Sequence, residues 1–559
     1  MKNWFKSGAP WIWLTGGAVT LSVVMVAGLL GLIAVRGFSH FWPSDVAKIE
    51  ITDPVSQERS VLLGEIVRSE GITAVTAREA GNTVPEGQEI VTRYLIKQGN
   101  RDQLGTDFVW RFEFGMSDFE YPAGVYVIER REWGNFYGFP KAIQIDGQTT
   151  TELTSGSSEQ FHQQVQAAVA EAVATHHSIR KIERGDIGAL NTQLERLRLQ
   201  ERQLDLDGVA GSERATIQAD IDSQRAAIEA DYLVLRNELD ALYADMRRNT
   251  LVMEMVDGRE ASIRFADVVS IIMPNDMSAL QKWGEYFHRV WGFLTDEPRE
   301  ANTEGGIFPA IFGTITMVFV MSIMVTPFGV LAAIYLREYA KQGTVTKIVR
   351  ISVYNLAGVP SIVYGVFGLG FFIYFLGGNI DRIFYEAALP SPTFGTPGLF
   401  WASLTLALLT LPVVIVSTEE GLARIPSTIR QGSLALGATK SETLWRVVVP
   451  LATPGMMTGL ILAIARAAGE VAPLMLVGVV KLAPTLPIDG EFPFIHLERK
   501  IMHLGFHIFD VGFQSPNVEA ARPLVYATAL TLVALIVILN LTAIAIRNHL
   551  REKYRSDSD

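Results

Sequence analysis

Six largely apolar stretches constrain this chain more than any other feature. They span residues 11–35, 307–336, 349–376, 399–416, 456–480 and 524–546, each near or above the roughly 20 residues that carry a helix through a bilayer core of about 30 Å. The first is too long for the apolar centre of a signal peptide, and no small-residue cleavage site follows it, so it reads as an uncleaved anchor. The other five crowd into the C-terminal half. With 559 residues and 49% hydrophobic content, the chain divides into a membrane part and a water-soluble part. A net charge of −11 with no basic block argues against nucleic acid as a partner. The absence of cysteine excludes disulfides, thiolate metal sites and a cysteine nucleophile.

Orientation follows from Lys and Arg in short loops, which stay on the cytoplasmic side. Lys2 and Lys6 start inside. Alternation then puts three more basic segments inside: Arg337, Lys341 and Lys347; Arg424, Arg430, Lys440 and Arg446; and the tail 547–559 with Arg547, Arg551, Lys553 and Arg555. The segment 377–398, with Asp381, Arg382 and Glu386, falls outside, as does 481–521. Residues 36–306 also fall outside, because long domains are exported with little regard to charge.

Within that insertion, 47–146 shows short alternating runs such as 90–96, 108–114 and 124–128 between Gly, Asn and Pro, the pattern of strands and turns. From 159 to 248 the composition turns to Gln, Glu, Arg, Ala and Leu. Leu190, Leu194, Leu197 and Leu204 form one heptad-spaced stripe; Ile221, Ile228, Leu235 and Leu242 form another. With 205–212 as the turn, an antiparallel helical hairpin of coiled-coil type is the economical reading. Residues 251–272 return to strand-like alternation. The hairpin is either a docking arm for an external partner or a spacer that packs on itself. His176 and His177, or His503 and His507, lack the accompanying carboxylates of a metal site.

The inner loop 419–450 carries two helix signals. Ile425-Pro426-Ser427 opens a helix through Ile429 and Leu434 to Leu436, and Gly437 ends it, since glycine readily adopts the left-handed conformation that reverses a chain. Thr439 with Glu442 forms a capping box that starts a second helix bearing Leu444, Val447 and Val448, which Pro450 is expected to break. Two short bent helices on the cytoplasmic side suit insertion into a groove on another protein.

The same loop resembles the signature of ATP-binding-cassette (ABC) importer permeases. Gly437 holds the signature glycine, and Val447, Val449 and Pro450 hold its ending, while Arg430 precedes a Gln431, Gly432, Ser433 triplet in place of the usual Glu-Ala-Ala. Residues 309–551 resemble the PstA-type permease of the phosphate-specific ABC transporter, through Ile334-Tyr335-Leu336-Arg337-Glu338-Tyr339, through Gly358-Val359-Pro360-Ser361-Ile362-Val363-Tyr364-Gly365, and through the run from Ala463 to Leu474 that contains Arg466, Glu470 and Pro473. The resemblance implies an α-helical polytopic membrane protein with six transmembrane helices and the ABC importer permease fold. Its parts are a first anchor in 1–35, a mixed α+β extracytoplasmic insertion with a helical hairpin at 36–306, and a permease domain at 307–546. It further implies the bacterial cytoplasmic (inner) membrane, inorganic phosphate as cargo, a dimeric ABC ATPase, a second homologous permease and a periplasmic phosphate-binding protein. Arg430, Gln431, Gly432, Ser433, Gly437, Thr439, Glu442 and Pro450 are then the residues expected to couple to the ATPase. The insertion is far longer than the family pattern explains.

Arg466 and Glu470 stand four residues apart in the fifth apolar stretch and are expected on one helical face at mid-span. Ionised groups there are costly against lipid and should face a pore or each other. A guanidinium matches a phosphate oxyanion, and a carboxylate accepts the proton that phosphate carries and sulfate lacks; a purely structural bridge is the alternative. Pro360 and Pro412 are expected to interrupt the third and fourth spans, as gating elements or static kinks. No Gly-x-x-x-x-Gly-Lys-Ser/Thr loop occurs, so the chain is expected to hydrolyse no ATP itself and to hold no cofactor, with ATP and Mg bound by the partner ATPase. Transport of another oxyanion such as sulfate or molybdate, and a membrane-bound sensor using the insertion, are the competing readings.

Overall fold

A computed structural model describes all residues except 1–6, 53–58, 80, 82–83, 85–86, 154–157, 516–517 and 554–559. Lys2, Lys6 and Arg555 lie outside the described residues. The chain forms two compact units, Phe41–Gly306 and a second made of Met1–His40 with Ile307–Asp559. Among the described residues, six helices are long and apolar enough to cross a membrane.

The first of these, α1 (Ala9–Ser39), is apolar on every face and exposes nearly all of its side chains, as a lipid-facing helix does. It packs along the last helix of the chain, where a Cβ at Gly37 would lie 3.0 Å from the Tyr526 carbonyl oxygen.

The unit that follows is built on two sheets. Strands β1 (Val46–Thr52), β2 (Arg59–Thr73), β3 (Ile90–Lys97) and β4 (Phe108–Phe112) pair antiparallel in sequence order, with Ile49 opposite Leu62 and Leu95 opposite Trp110. The second sheet joins β5 (Tyr126–Arg130), β6 (Phe136–Ile145) and β7 (Gln148–Glu152) to β8 (Asn249–Glu254), β9 (Glu260–Arg264) and β10 (Val268–Ile272), in the order β10-β5-β6-β8-β9 with β7 also on β6. Strands from both sides of the helical region thus pair directly, Ile143 with Leu251.

The helical region leaves this sheet as α2 (Ser158–Lys181), whose Phe161, Val165, Val169 and Ala172 form one buried stripe on Tyr126, Ile128, Leu251 and Met253. Burial of Phe161, Val165 and Val169 contributes about 1.5–3 kcal/mol each. A π-helical turn, Ile182–Asp186, continues α2 into α3 (Ile187–Leu206), and α4 (Gly211–Arg248) returns antiparallel. Leu190, Leu194, Leu197 and Leu204 meet Ile217, Ile221 and Ile228, so the first expected stripe buries against half of the second; Leu235 and Leu242 stay half-buried outside this cluster, and Ile217 joins it instead. The last α-helix of the unit is α5 (Ala279–Thr295), which begins on a Ser278–Gln281 capping box, and a two-stranded pair, Pro298–Arg299 with Glu304–Gly305, follows it.

The membrane unit resumes with α6 (Phe308–Ile334), extended by a π-helical turn Tyr335–Tyr339. The expected third span, 349–376, is corrected. Residues 344–356 form a separate amphipathic helix, α7 (Thr344–Leu356), and the spanning helix α8 (Ser361–Phe384) starts afresh after it. Pro360 caps α8 in extended conformation instead of kinking a span, because a proline ring disfavours helical conformation in the residue before it. Helix α9 (Leu399–Ala423) is the most buried span and contains Pro412 within it. Its first N–H groups, on Leu399 and Phe400, donate to the carbonyls of Arg499 and Leu497 at 2.8 Å each, so an outer loop satisfies the helix end.

After the short helix α10 (Ser427–Ala435) comes α11 (Lys440–Gly469), which begins earlier and ends earlier than the expected fifth span, 456–480. Pro450 does not break it. A π-helical turn, Leu444–Val448, absorbs the lost hydrogen bond and the bulk of the ring, and the helix continues. The chain closes with α12 (Leu504–Phe513) and the last span, α13 (Val518–Lys553). Small residues set the α9–α11 seam: a Cβ at Gly455 would lie 2.7 Å from Gly421 Cα, and one at Gly459 2.5 Å from Ser417 Cβ. Close backbone approach through small residues is how spans associate where lipid removes the hydrophobic drive.

Candidate coupling site and substrate pathway

The 419–450 loop is a bent helix pair, built locally as its residues dictate. Helix α10 ends in a Schellman motif: Gly437 takes φ +88° and donates to the Leu434 carbonyl at 3.0 Å, while Ala438 donates to Ser433 at 3.3 Å. Two residues later Thr439 caps α11. Its hydroxyl accepts from Glu442 N–H at 3.2 Å, and the Glu442 carboxylate accepts from Thr439 N–H at 2.9 Å. The Ser433 and Thr443 hydroxyls, 2.9 Å apart, tie the two helices together. Gln431, Gly432, Leu434 and Leu436 are exposed on α10, while Ile425, Leu444, Val448 and Ala452 form the core beneath.

Arg430 is the anchor of this element. It donates to the carbonyl oxygens of Ile425 at 2.7 Å and Leu422 at 2.8 Å, closing the C-terminal end of α9, and to Glu338 Oε1 at 2.9 Å. Its acidic partner, Glu338, comes from the π-helical end of α6. Lys440 Nζ donates to the Glu338 carbonyl at 2.5 Å and lies 4.7 Å from the centre of the Tyr339 ring. A second strut, Arg350 Nε to Glu419 at 3.2 Å, joins α7 to α9. Sequence reasoning gave none of Glu338, Arg350 and Glu419 this role; Glu338 entered only within a segment that resembles the PstA pattern.

Arg466 and Glu470 are brought together, with Nε and Oε1 3.5 Å apart, but not as two residues of one mid-helix face. Arg466 lies in the last turn of α11, and Glu470 is its cap, in extended conformation at φ −78° and ψ 139°. A cation suits that helix end, where the dipole is negative. The chain then breaks at Val471 to Pro473 before a single turn, Leu474–Val477. Pro473 abuts the start of α8: a Cβ at Gly365 would lie 2.7 Å from Pro473 Cα. Two helix interruptions, one ending at Pro360 and one starting at Glu470, therefore adjoin, and interrupted helices are where membrane transporters tend to place polar sites.

The histidines have other roles. His503 caps α12, its Nδ1 accepting from Gly505 N–H at 3.1 Å, and burial pushes its pKa down to about 4. His176 is likewise lowered to about 4, by burial first and then by Arg131, Arg180, His177 and Arg184, a set of charges that opposes a bound cation. Among the described residues no group of three or more His, Cys, Asp or Glu could hold a metal ion.

Six apolar helices with a bent inner helix pair define the class of protein. Residues 325–556 match the family of binding-protein-dependent transport system inner membrane components, and the chain is an ABC importer permease, a multi-pass protein of the inner membrane. Membership implies an ATPase and a substrate-binding protein as partners. A phosphate transport system permease protein PstA from Mycobacterium leprae is 33% identical over 282 residues, covering 50% of this chain and 81% of that protein. PstA 1 of Mycobacterium tuberculosis (strain H37Rv) is 31% identical over 278 residues, 50% of this chain and 79% of the relative, and PstA of Yersinia pestis is 30% identical over 251 residues, 45% and 74%. The chain belongs to the PstA family of permeases.

Proposed function

We propose that this chain moves inorganic phosphate across the inner membrane, driven by a separate ABC ATPase that seats on the 419–450 helix pair. The observation that carries the reading is the Arg466–Glu470 pair at the break of α11, in a chain whose relatives are named phosphate permeases. A guanidinium offers paired donors to a phosphate oxyanion, and a carboxylate accepts the proton of the monohydrogen form. The exposed Ile429, Leu434 and Leu436 give α10 the apolar edge that a groove on an ATPase would receive. A second homologous permease would complete the pathway, a periplasmic phosphate-binding protein would deliver cargo, and ATP with Mg would be bound by an ATPase dimer. On this reading 41–306 lies on the periplasmic side, and coupling is a two-state change biased by ligands with different affinity for each state.

The test is radiolabelled phosphate uptake by cells with and without the gene, with excess sulfate and molybdate as competitors, and by cells carrying Arg466→Leu. The expected result is high-affinity uptake that depends on the gene, resists both competitors and is lost in Arg466→Leu while the variant still inserts in the membrane. Uptake unchanged without the gene would overturn the transport reading; suppression by sulfate or molybdate would reassign the cargo; normal uptake by Arg466→Leu would remove Arg466 from the pathway.

A further inference from the structure

Helix α5 wears its faces the wrong way round for water. Its charged side chains point inward: Lys282, Glu285 and Arg289 keep only 13%, 15% and 27% of their side-chain surface exposed, Lys282 in an ion pair with Asp45 and Arg289 bonded to Glu285 at 2.9 Å. Four of its apolar side chains point outward, Leu280 being 83% exposed, Trp283 49%, Phe287 63% and Trp291 67%, while Phe293 near its end is buried. Spacings of three, four and four residues put these four on one stripe. Surface hydrophobics scattered singly need no explanation, but a continuous row of two tryptophans, a phenylalanine and a leucine beside sequestered charges does.

Both ends of α5 are pinned close to where the chain leaves a membrane-crossing helix. Trp42 packs edge-on against Trp283, with ring centres 5.3 Å apart, and stands three residues after Ser39, the end of α1, which places it within about 11 Å of that end. Neighbouring Phe41 packs on Tyr286 and Phe293. At the other end a Cβ at Gly306 would lie 2.3 Å from the Asp296 carbonyl oxygen, and Gly306 precedes the start of α6, Phe308, by two residues. About 20 Å of helix axis separates Trp283 from Asp296. Along the chain, both ends of α5 are therefore held within a few residues of a membrane-crossing helix.

We propose that α5 is an interfacial membrane helix whose stripe of Leu280, Trp283, Phe287 and Trp291 inserts among phospholipids of the outer leaflet of the inner membrane. Tryptophan and phenylalanine favour the headgroup boundary, and an in-plane helix buries its apolar face there to a depth of about 5–10 Å. The role of such a helix would be to hold the 41–306 unit at the bilayer surface.

The natural absence of cysteine allows a direct test with single substitutions. Leu280→Cys, Phe287→Cys and Trp291→Cys in the full chain, with Val234→Cys on the exposed face of α4 as a reference, would be labelled with a nitroxide and reconstituted into phosphatidylethanolamine–phosphatidylglycerol vesicles. Collision with oxygen, which concentrates in lipid, is then compared with collision with a water-soluble nickel chelate. The expected result is oxygen-dominated relaxation at 280, 287 and 291 and nickel-dominated relaxation at 234. Nickel-dominated relaxation at 287 and 291 would place the stripe in water, and an immobilised label shielded from both reagents would place it against a protein; either result overturns the proposal.

Discussion

Arg430 and Glu338 are 92 residues apart in sequence and 2.9 Å apart in the folded protein, and their bond joins α10 to the C-terminal end of α6. Both side chains are largely buried, so the bond is a structural strut between the surface that an ATPase would push and a spanning helix. Removing one partner of a charged hydrogen bond costs about 1–3 kcal/mol. Glu338→Ala, which removes the acceptor of Arg430 there, is expected to lower phosphate uptake about tenfold while the complex still hydrolyses ATP, the factor to which about 1.4 kcal/mol corresponds. Phosphate taken up per ATP hydrolysed in proteoliposomes measures this; an unchanged ratio would show that the strut transmits nothing.

The bend at Gly437 is set by its backbone. No atom lies within 4 Å of a Cβ placed there, so substitution costs only the left-handed conformation, about 1–2 kcal/mol. Gly437→Val is expected to weaken co-purification of the ATPase at normal membrane levels, and Gly437→Asn to restore it, since asparagine tolerates that conformation. Loss of the Thr439 cap in Thr439→Ala should add about 1 kcal/mol. Equal recovery of the ATPase with Val and Asn would argue against a backbone origin.

The α9–α11 seam has no room at Gly455, where an added Cβ meets the backbone of Gly421 at 2.7 Å. Gly455→Ala should destabilise the membrane unit by about 1–3 kcal/mol through forced separation of the helices. Gly370→Ala in α8, with open space at the same test, should be close to neutral. Thermal unfolding of the detergent-solubilised protein should therefore fall at a lower temperature for the first variant than for the second.

His176 makes the stability of the 41–306 unit depend on pH. Its pKa is lowered to about 4 by burial and then by Arg131 and Arg180, against about 6.5 in an unfolded chain. The unfolded state takes up the proton first as pH falls, so the contribution is fully present above about 6.5 and is lost progressively down through about 4. The His176→Gln variant should show a flatter fall in its urea midpoint between about pH 6.5 and 4 than the natural chain. Parallel slopes would show that His176 titrates normally.

Several features were legible without any tertiary information because they depend on a few neighbouring residues. Apolar length marked the six spans, period-two alternation marked β3, β4 and β8–β10, and heptad spacing marked the α3–α4 pair. Gly437, Thr439 and Glu442 announced the bend of the 419–450 loop because capping is settled within about one helical turn. The PstA resemblance added the class of protein.

Tertiary structure decided the rest, because those outcomes turn on groups distant in sequence or on how a neighbouring element absorbs strain. Pro450 reads as a helix breaker until the π-helical turn before it is seen to accommodate the ring. The apolar run around Pro360 reads as one span until α7 and α8 part. Arg466 and Glu470 read as one helical face until Glu470 turns out of the helix against a second interruption. Glu338 became the partner of Arg430, β6 paired with β8 across the whole helical arm, and α5 turned its charges inward, only because folding brought those groups together. Local backbone preference wrote the elements into the sequence; the long-range pairing of charges and the packing of helix ends determined which of their residues could work together.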